Sequence, residues 1–129
     1  MAKTYIKNTK KKNTTLSQAV VHINSSFNNT ILSITDIFGN KRTQFSCGMY
    51  AKGARKGLSF NAIMCAQNAI SYLENNLQAK SISIKVRGPG VSREQAIRTF
   101  VNSNIEIVSI TETCNLPHGG PKPKKQRRV

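Results

Sequence analysis

Acidic residues are what this chain has least of: five Asp and Glu stand against 20 Lys and Arg in 129 residues, giving a formal charge of +15 and a pI near 10.3. That scarcity argues against metal-dependent phosphodiester cleavage, which gathers about three or four carboxylates around two ions. Asp36 falls in a turn pattern, Glu74 late in a helical one, Glu94 in a first helical turn, and Glu106 and Glu112 near the last strand. They are too few and too scattered. Cys47, Cys65 and Cys114 are odd in number, far apart and in no Cys-x-x-Cys pair, so neither a disulfide framework nor a zinc site is expected. They read as buried small apolar residues in a reducing compartment. Only His22 and His118 are histidines, and His22 lies in a strand pattern that suits a structural role. No Ser, Cys or His spacing suggests a nucleophile, so the expectation is a protein that is not an enzyme and needs no cofactor or metal. Long apolar runs are missing too: none approaches the roughly 20 residues of a membrane span, and no helix pattern pairs a basic face with a broad apolar one. The start Met1-Ala2-Lys3-Thr4-Tyr5-Ile6 has no apolar signal region, so secretion is not expected.

What the chain has in excess is positive charge, spread over both ends and the middle. A small acidic substrate needs only a local basic pocket, whereas so large a global charge repels itself unless a polyanion neutralises it. Nucleic acid is the expected partner. The last nine residues, Pro121 to Val129, carry Lys122, Lys124, Lys125, Arg127 and Arg128 with no acid, and Pro121 and Pro123 disfavour helix and sheet. Such a tail suits a line of phosphates, whose counterions are released on binding. The plainer readings are a solubilising end or a nuclear localisation patch. Residues 1–16 hold five lysines among Asn and Thr and no acid, the composition of an arm that orders on its partner.

Between these extensions, residues 17–116 read as a single α/β domain, with 1–16 a basic arm and 117–129 a basic tail. Gln18 to Ser25 and Asn29 to Thr35 are rich in Val, Ile and Thr and read as paired strands, and Lys41 to Cys47 follows the turn Asp36 to Asn40 as a third. Phe60, Ile63, Met64, Gln67, Ile70, Leu73 and Leu77 recur at helical spacing and predict a buried stripe. Ser81 to Arg87 alternates, with Ile82, Ile84 and Val86 inward. Ser92 followed by Gln95 reads as a capping box opening a short helix that buries Ala96, Ile97, Phe100 and Val101, and Ile105 to Thr111 is the last strand. The order is βββαβαβ: a mixed sheet with helices packed on it, of the ribonuclease H-like three-layer architecture, flanked by basic disordered extensions.

Two segments carry candidate chemistry. Lys85-Val86-Arg87-Gly88-Pro89-Gly90-Val91-Ser92-Arg93 runs a strand through a glycine turn onto a helix N-terminus, where free amides and three cations make a phosphate seat. An ordinary turn that needs glycine for geometry is the plainer alternative. Gly48 to Gly57 has the glycine spacing of a Walker A loop, but Ala54 and Arg55 stand where Lys and Ser or Thr are required, so nucleotide hydrolysis is rejected. Its three glycines allow close backbone approach while Lys52, Arg55 and Lys56 reach phosphates; a flexible solvated loop is the alternative.

Ala19 to Ile31 with its Phe27-Asn28-Asn29-Thr30, Thr35-Asp36 with Gly39-Asn40, Gly53-Ala54-Arg55-Lys56, Lys85 to Gly90 with Arg93-Glu94, and Pro117-His118-Gly119-Gly120 before the basic end together resemble one family. It is that of small ribosomal subunit protein eleven, of the bacterial and organellar type, and the resemblance runs from about residue 18 to Val129. It implies a structural constituent of the small subunit, bound to the central domain of the small-subunit ribosomal RNA on the platform near the messenger exit site. Neighbours implied are small-subunit proteins six, seven, eighteen and twenty-one, with messenger RNA nearby and no membrane. By position, the implied RNA contacts are Asn28, Asn29 and Thr30; Lys52, Gly53, Arg55 and Lys56; Gly88, Gly90, Ser92 and Arg93; and His118 through Arg128, to which the residue reading adds Lys85 and Arg87. The chain departs from the family at Ser92, where a glycine is usual, at Ala51, where an aromatic is common, and at Gly119-Gly120-Pro121-Lys122, where Asn-Gly-Cys-Arg is usual. This drift, with the abundance of Asn, Ile and Lys, points to a mitochondrial ribosome. A free RNA chaperone or regulatory RNA binder of the same fold is the alternative reading.

Overall fold

The computed structural model describes residues 15–129, so the basic arm expected over 1–16 lies, except for its last two residues, outside the described residues. Strands β1 (Gln18–Ser25), β2 (Thr30–Thr35) and β3 (Lys41–Ser46) form the expected antiparallel meander. Helix α1 (Ser59–Tyr72) continues through a π turn (Leu73–Leu77) into β4 (Ser81–Arg87), and α2 (Ser92–Val101) leads to β5 (Glu106–Glu112). The sheet order is β3-β2-β1-β4-β5, with β4 parallel to both β1 and β5. Each parallel pair needs a crossover, and the two helices supply them.

Both helices cover the same face, because α1 and α2 pack against each other. Among the described residues the domain therefore has two layers; a third would need a helix after β5, where the chain runs into exposed, irregular backbone. Period-two alternation sends Ala19, Val21 and Ile23 of β1 and Ile82, Ile84 and Val86 of β4 under the helices, while Val20, His22, Lys85 and Arg87 face the open side. Phe100, Leu32, Ile34 and Leu73 complete the core, each worth about 1.5–3 kcal/mol of transfer free energy.

Three expectations about packing are corrected. The buried stripe of α1 is Ala62, Cys65, Ala66 and Ala69, continued by Leu73 and Leu77, whereas Phe60 is 67% exposed and Gln67 faces solvent. Ile63, Met64 and Ile70 are only half-buried along the sides. Small side chains let the helix axis approach the sheet, and the larger ones are displaced to its flanks. In α2, Ala96 and Phe100 are buried but Val101 is exposed. Ser92 forms no capping box: it lies inside the helix, and its hydroxyl donates to the Gly57 carbonyl at 3.1 Å.

Cys47 and Cys65 are buried as expected; Cys114 is exposed, beyond the last strand. The Cys65 thiol is pushed up by its hydrogen bond to Cys47 and by burial. Leu16 closes the domain at its start, its amide donating to Leu77 O at 2.9 Å.

Candidate nucleic-acid interface

Every connection that leaves the C-terminal ends of β1, β3 and β4 arrives at one end of the sheet. These are the hairpin Ser26 to Asn29, the loop Gly48 to Gly57 and the turn Gly88 to Gly90. The tail leaves from the same end, because β5 runs parallel to β4 and Glu112 pairs with Val86. One pole of the domain thus collects the loop and turn that carry or flank Lys52, Arg55, Lys56, Arg87 and Arg93, together with the five cations of the tail.

Close backbone approach holds these segments together. Gly88 has φ of +96°, and a Cβ there would stand 2.0 Å from Ser25 O; one on Gly90 would stand 2.0 Å from Ser25 Oγ and 2.6 Å from Ser26 O. Glycine is required on both counts, conformation and space, at the first and on space at the second. Ser25 in turn shares a 3.0 Å hydrogen bond with Thr30 Oγ1, both residues buried. Gly57 lies against the Phe27 carbonyl in the same way, and the Ser92 hydroxyl ties it to α2. The hairpin itself is closed by Ser26: its amide and hydroxyl donate to Asn29 O at 2.8 and 3.1 Å, and its Oγ accepts from Asn29 N–H at 3.1 Å. Asn29 Oδ1 accepts from Thr30 N–H at 2.9 Å, which leaves exposed Asn28 at the tip.

The loop Gly48 to Gly57 is built rather than slack. It consists of two 3-10 turns, Cys47–Met49 and Gly53–Gly57, with Ser46 Oγ capping the first through Gly48 N–H and Asn61 Nδ2 donating to Arg55 O at 2.6 Å. Lys52, Gly53 and Arg55 are exposed on it, and Lys56 is half-buried with its stem beside Gly48.

The expected site residues separate by role. Asn28, Lys52, Arg55, Lys85 and Arg87 present exposed polar or cationic groups, as do His118, Lys122, Lys124, Lys125, Arg127 and Arg128 of the tail. Arg87 pairs in register with Asn24, and Lys85 with His22, so these four extend the pole onto the open sheet face. Thr30, Gly90 and Ser92 are buried and serve to fix the loops, with no side chain offered to a ligand. Arg93 is a clamp within the chain: its Nη1 donates to Gly88 O at 3.1 Å and to Glu112 Oε1 at 2.7 Å. Lys85 also acts inward electrically, since burial and then the Lys85 charge hold His22 below the ordinary imidazole range while His22 Nε2 bonds Thr35 Oγ1 at 3.1 Å.

Sequence reasoning missed the apolar members of this pole. Phe27 on the hairpin, Leu58 and Val91 at the helix starts that follow the loop and the turn, and Phe60 in the first turn of α1 all stand more than half exposed. Large apolar residues embedded among glycines and cations, outside any strand period, were the available signal. Base faces stack on such side chains while cations follow the backbone phosphates. Of the carboxylates, Glu112 is paired with Arg93, Asp36 is at the other end of the sheet, and Glu94 stands exposed in the first turn of α2, outnumbered by the cations.

A pole with exposed cations, closely packed glycine turns and interleaved apolar side chains can bind a folded RNA by its phosphates and unstacked bases. The family model described as Ribosomal protein S11 matches residues 19–128, a span that takes in all of the sheet but its first residue, both helices and the tail through Arg128. The chain belongs to the ribosomal protein S11 family, whose members are structural, non-enzymatic components of the small ribosomal subunit that bind its ribosomal RNA beside other subunit proteins.

Proposed function

We propose that the loop pole is the ribosomal RNA surface, that it docks on the central domain at the platform near the messenger exit site, and that it helps hold that region in its translating form. The observation that supports this reading best is the convergence of Asn28, Lys52, Arg55, Arg87 and the cationic tail on one end of the sheet, where Glu112 is paired with Arg93. Glu94, in the first turn of α2, complements the helix dipole and leaves the cations the majority. Small-subunit proteins six, seven, eighteen and twenty-one are the proposed neighbours, on the strength of the family resemblance. A mitochondrial ribosome is the proposed host, supported by the sequence drift at Ser92, Ala51 and Gly119 and by the Asn, Ile and Lys bias.

The test is sedimentation of small subunits through high salt followed by chemical footprinting of their RNA. Retention of the chain, with protection confined to the central domain, is the expected result. Release at moderate salt with no defined footprint would instead identify a free RNA chaperone, which binds by charge alone.

A further inference from the structure

The opposite pole of the sheet carries a feature that RNA binding does not use. Between β2 and β3 the turn Asp36 to Asn40 is organised by one carboxylate. Asp36 Oδ1 accepts the amides of Phe38 at 3.0 Å and Asn40 at 2.8 Å, and Oδ2 accepts Asn40 Nδ2 at 3.0 Å and Arg42 Nη2 at 3.3 Å. The carboxylate is buried beneath the turn, Gly39 supplies φ of +89°, and the result is a fixed tip whose two remaining side chains point outward. Those two are Ile37, 60% exposed, and Phe38, 84% exposed. A cleft of about 420 Å³ opens beside them, lined by Leu16, Gln18, Phe38 and Arg42.

Solvent gives no reason for a rigid turn to hold an Ile-Phe pair outward, and the contact that would remove it from water is apolar. The position selects the kind of partner. The tip lies about 17 Å along β2 from the hairpin, at the far end of the sheet from the proposed RNA surface. Beside the tip, Arg42 pairs with Asp36 and the Lys41 ammonium donates to the Gln44 side chain. Lys41, Arg42 and, across Ser17, Lys80 nevertheless make the surroundings positive, which favours a partner surface carrying carboxylates over the basic surface of an RNA-embedded segment.

We propose that the β2–β3 turn is a protein-docking knob: Ile37 and Phe38 enter an apolar socket, rimmed by acidic side chains, on a neighbouring protein of the small subunit, and the adjoining cleft receives a side chain in return. The proposal rests on membership of the subunit and is independent of which RNA segment the loop pole contacts.

The experiment places p-benzoylphenylalanine at position 38, assembles the full chain into small subunits, purifies them in high salt and irradiates them. A crosslink to one other subunit protein is the expected result. A crosslink to ribosomal RNA, to residues 1–14 of the same chain or to a second copy overturns the proposal, as does the absence of any crosslink. In parallel, Phe38→Ser is compared with wild type for binding to ribosomal RNA alone and for retention in washed subunits. Unchanged RNA affinity with retention lowered at least about tenfold is expected of a buried aromatic anchor. An equal loss in both assays would assign the turn to the RNA surface, and no loss in either would leave it without a partner. Failure of the wild-type chain itself to enter subunits would be a failure of the ribosomal reading, recorded separately from that of the knob.

Discussion

Gly90 has no room for a methyl group. A Cβ would meet Ser25 Oγ and the Ser26 carbonyl inside contact distance, and the hairpin cannot retreat because Ser25 is bonded to Thr30 and buried. Gly90→Ala is therefore expected to lower stability by about 1–3 kcal/mol, the range of overpacked sites, read as a drop in the urea midpoint. In the sequence these glycines looked like a phosphate seat; the contact with Ser25, about 65 positions earlier, is invisible to local spacing. Ser92 shows the same limit, for its spacing to Gln95 matched a capping box while its hydroxyl bonds Gly57 across the fold. His22 makes a second residue-scale test. Its imidazole is held below the ordinary value, so the unfolded chain takes up the proton first. Its contribution is complete above about pH 6.5 and is lost as pH falls through the folded value. Thermal midpoints taken across that range should fall toward acid in the wild type, with a visibly smaller fall in His22→Gln.

At the scale of elements, the strands were legible because alternation decides which face is inward, and β4 followed it residue by residue. Helix α1 was legible in extent but misread in orientation. It carries apolar side chains on more than one face, and a periodicity weighted by Phe60, Ile63 and Ile70 points to the larger ones, whereas the sheet accepts the small stripe of Ala62, Cys65, Ala66 and Ala69. Ala66→Leu should accordingly destabilise by about 1–3 kcal/mol through overpacking, while Phe60→Ala, at an exposed position, should change stability within about 0.5 kcal/mol. Equal effects in denaturant melts would show that the helix is rotated from the orientation described. The turn between β4 and α2 divides similarly. Arg87 is exposed on the open face and Arg93 is bonded to Gly88 and Glu112. Arg87→Ala is expected to weaken RNA binding by about 1–3 kcal/mol, the scale of a charge-assisted contact, with the melting curve unmoved. Arg93→Ala should move the melting curve as well, because Gly88 O and the end of β5 lose their clamp.

Among the described residues the domain has two unlike ends: a cationic loop pole with the tail attached, and an opposite tip that is apolar at Ile37 and Phe38 with Lys41, Arg42 and Lys80 around it. The formal charge of +15 announced a polyanion partner before any fold was known. The meeting of the loop and tail cations at one end was not legible, because it depends on strand direction and on three connections that lie far apart in the chain. The direct measurement is the salt dependence of ribosomal RNA binding, full chain against a chain lacking residues 121–129. The truncated chain loses Lys122, Lys124, Lys125, Arg127 and Arg128 from an exposed segment, so the fold should persist while affinity falls. Each phosphate neutralised contributes about 0.7 to 0.9 to the slope of log affinity against log salt, so the slope should become shallower by at most about 4. A slope that does not change would mean that the tail meets no phosphate, and would contradict the assignment of this pole to RNA.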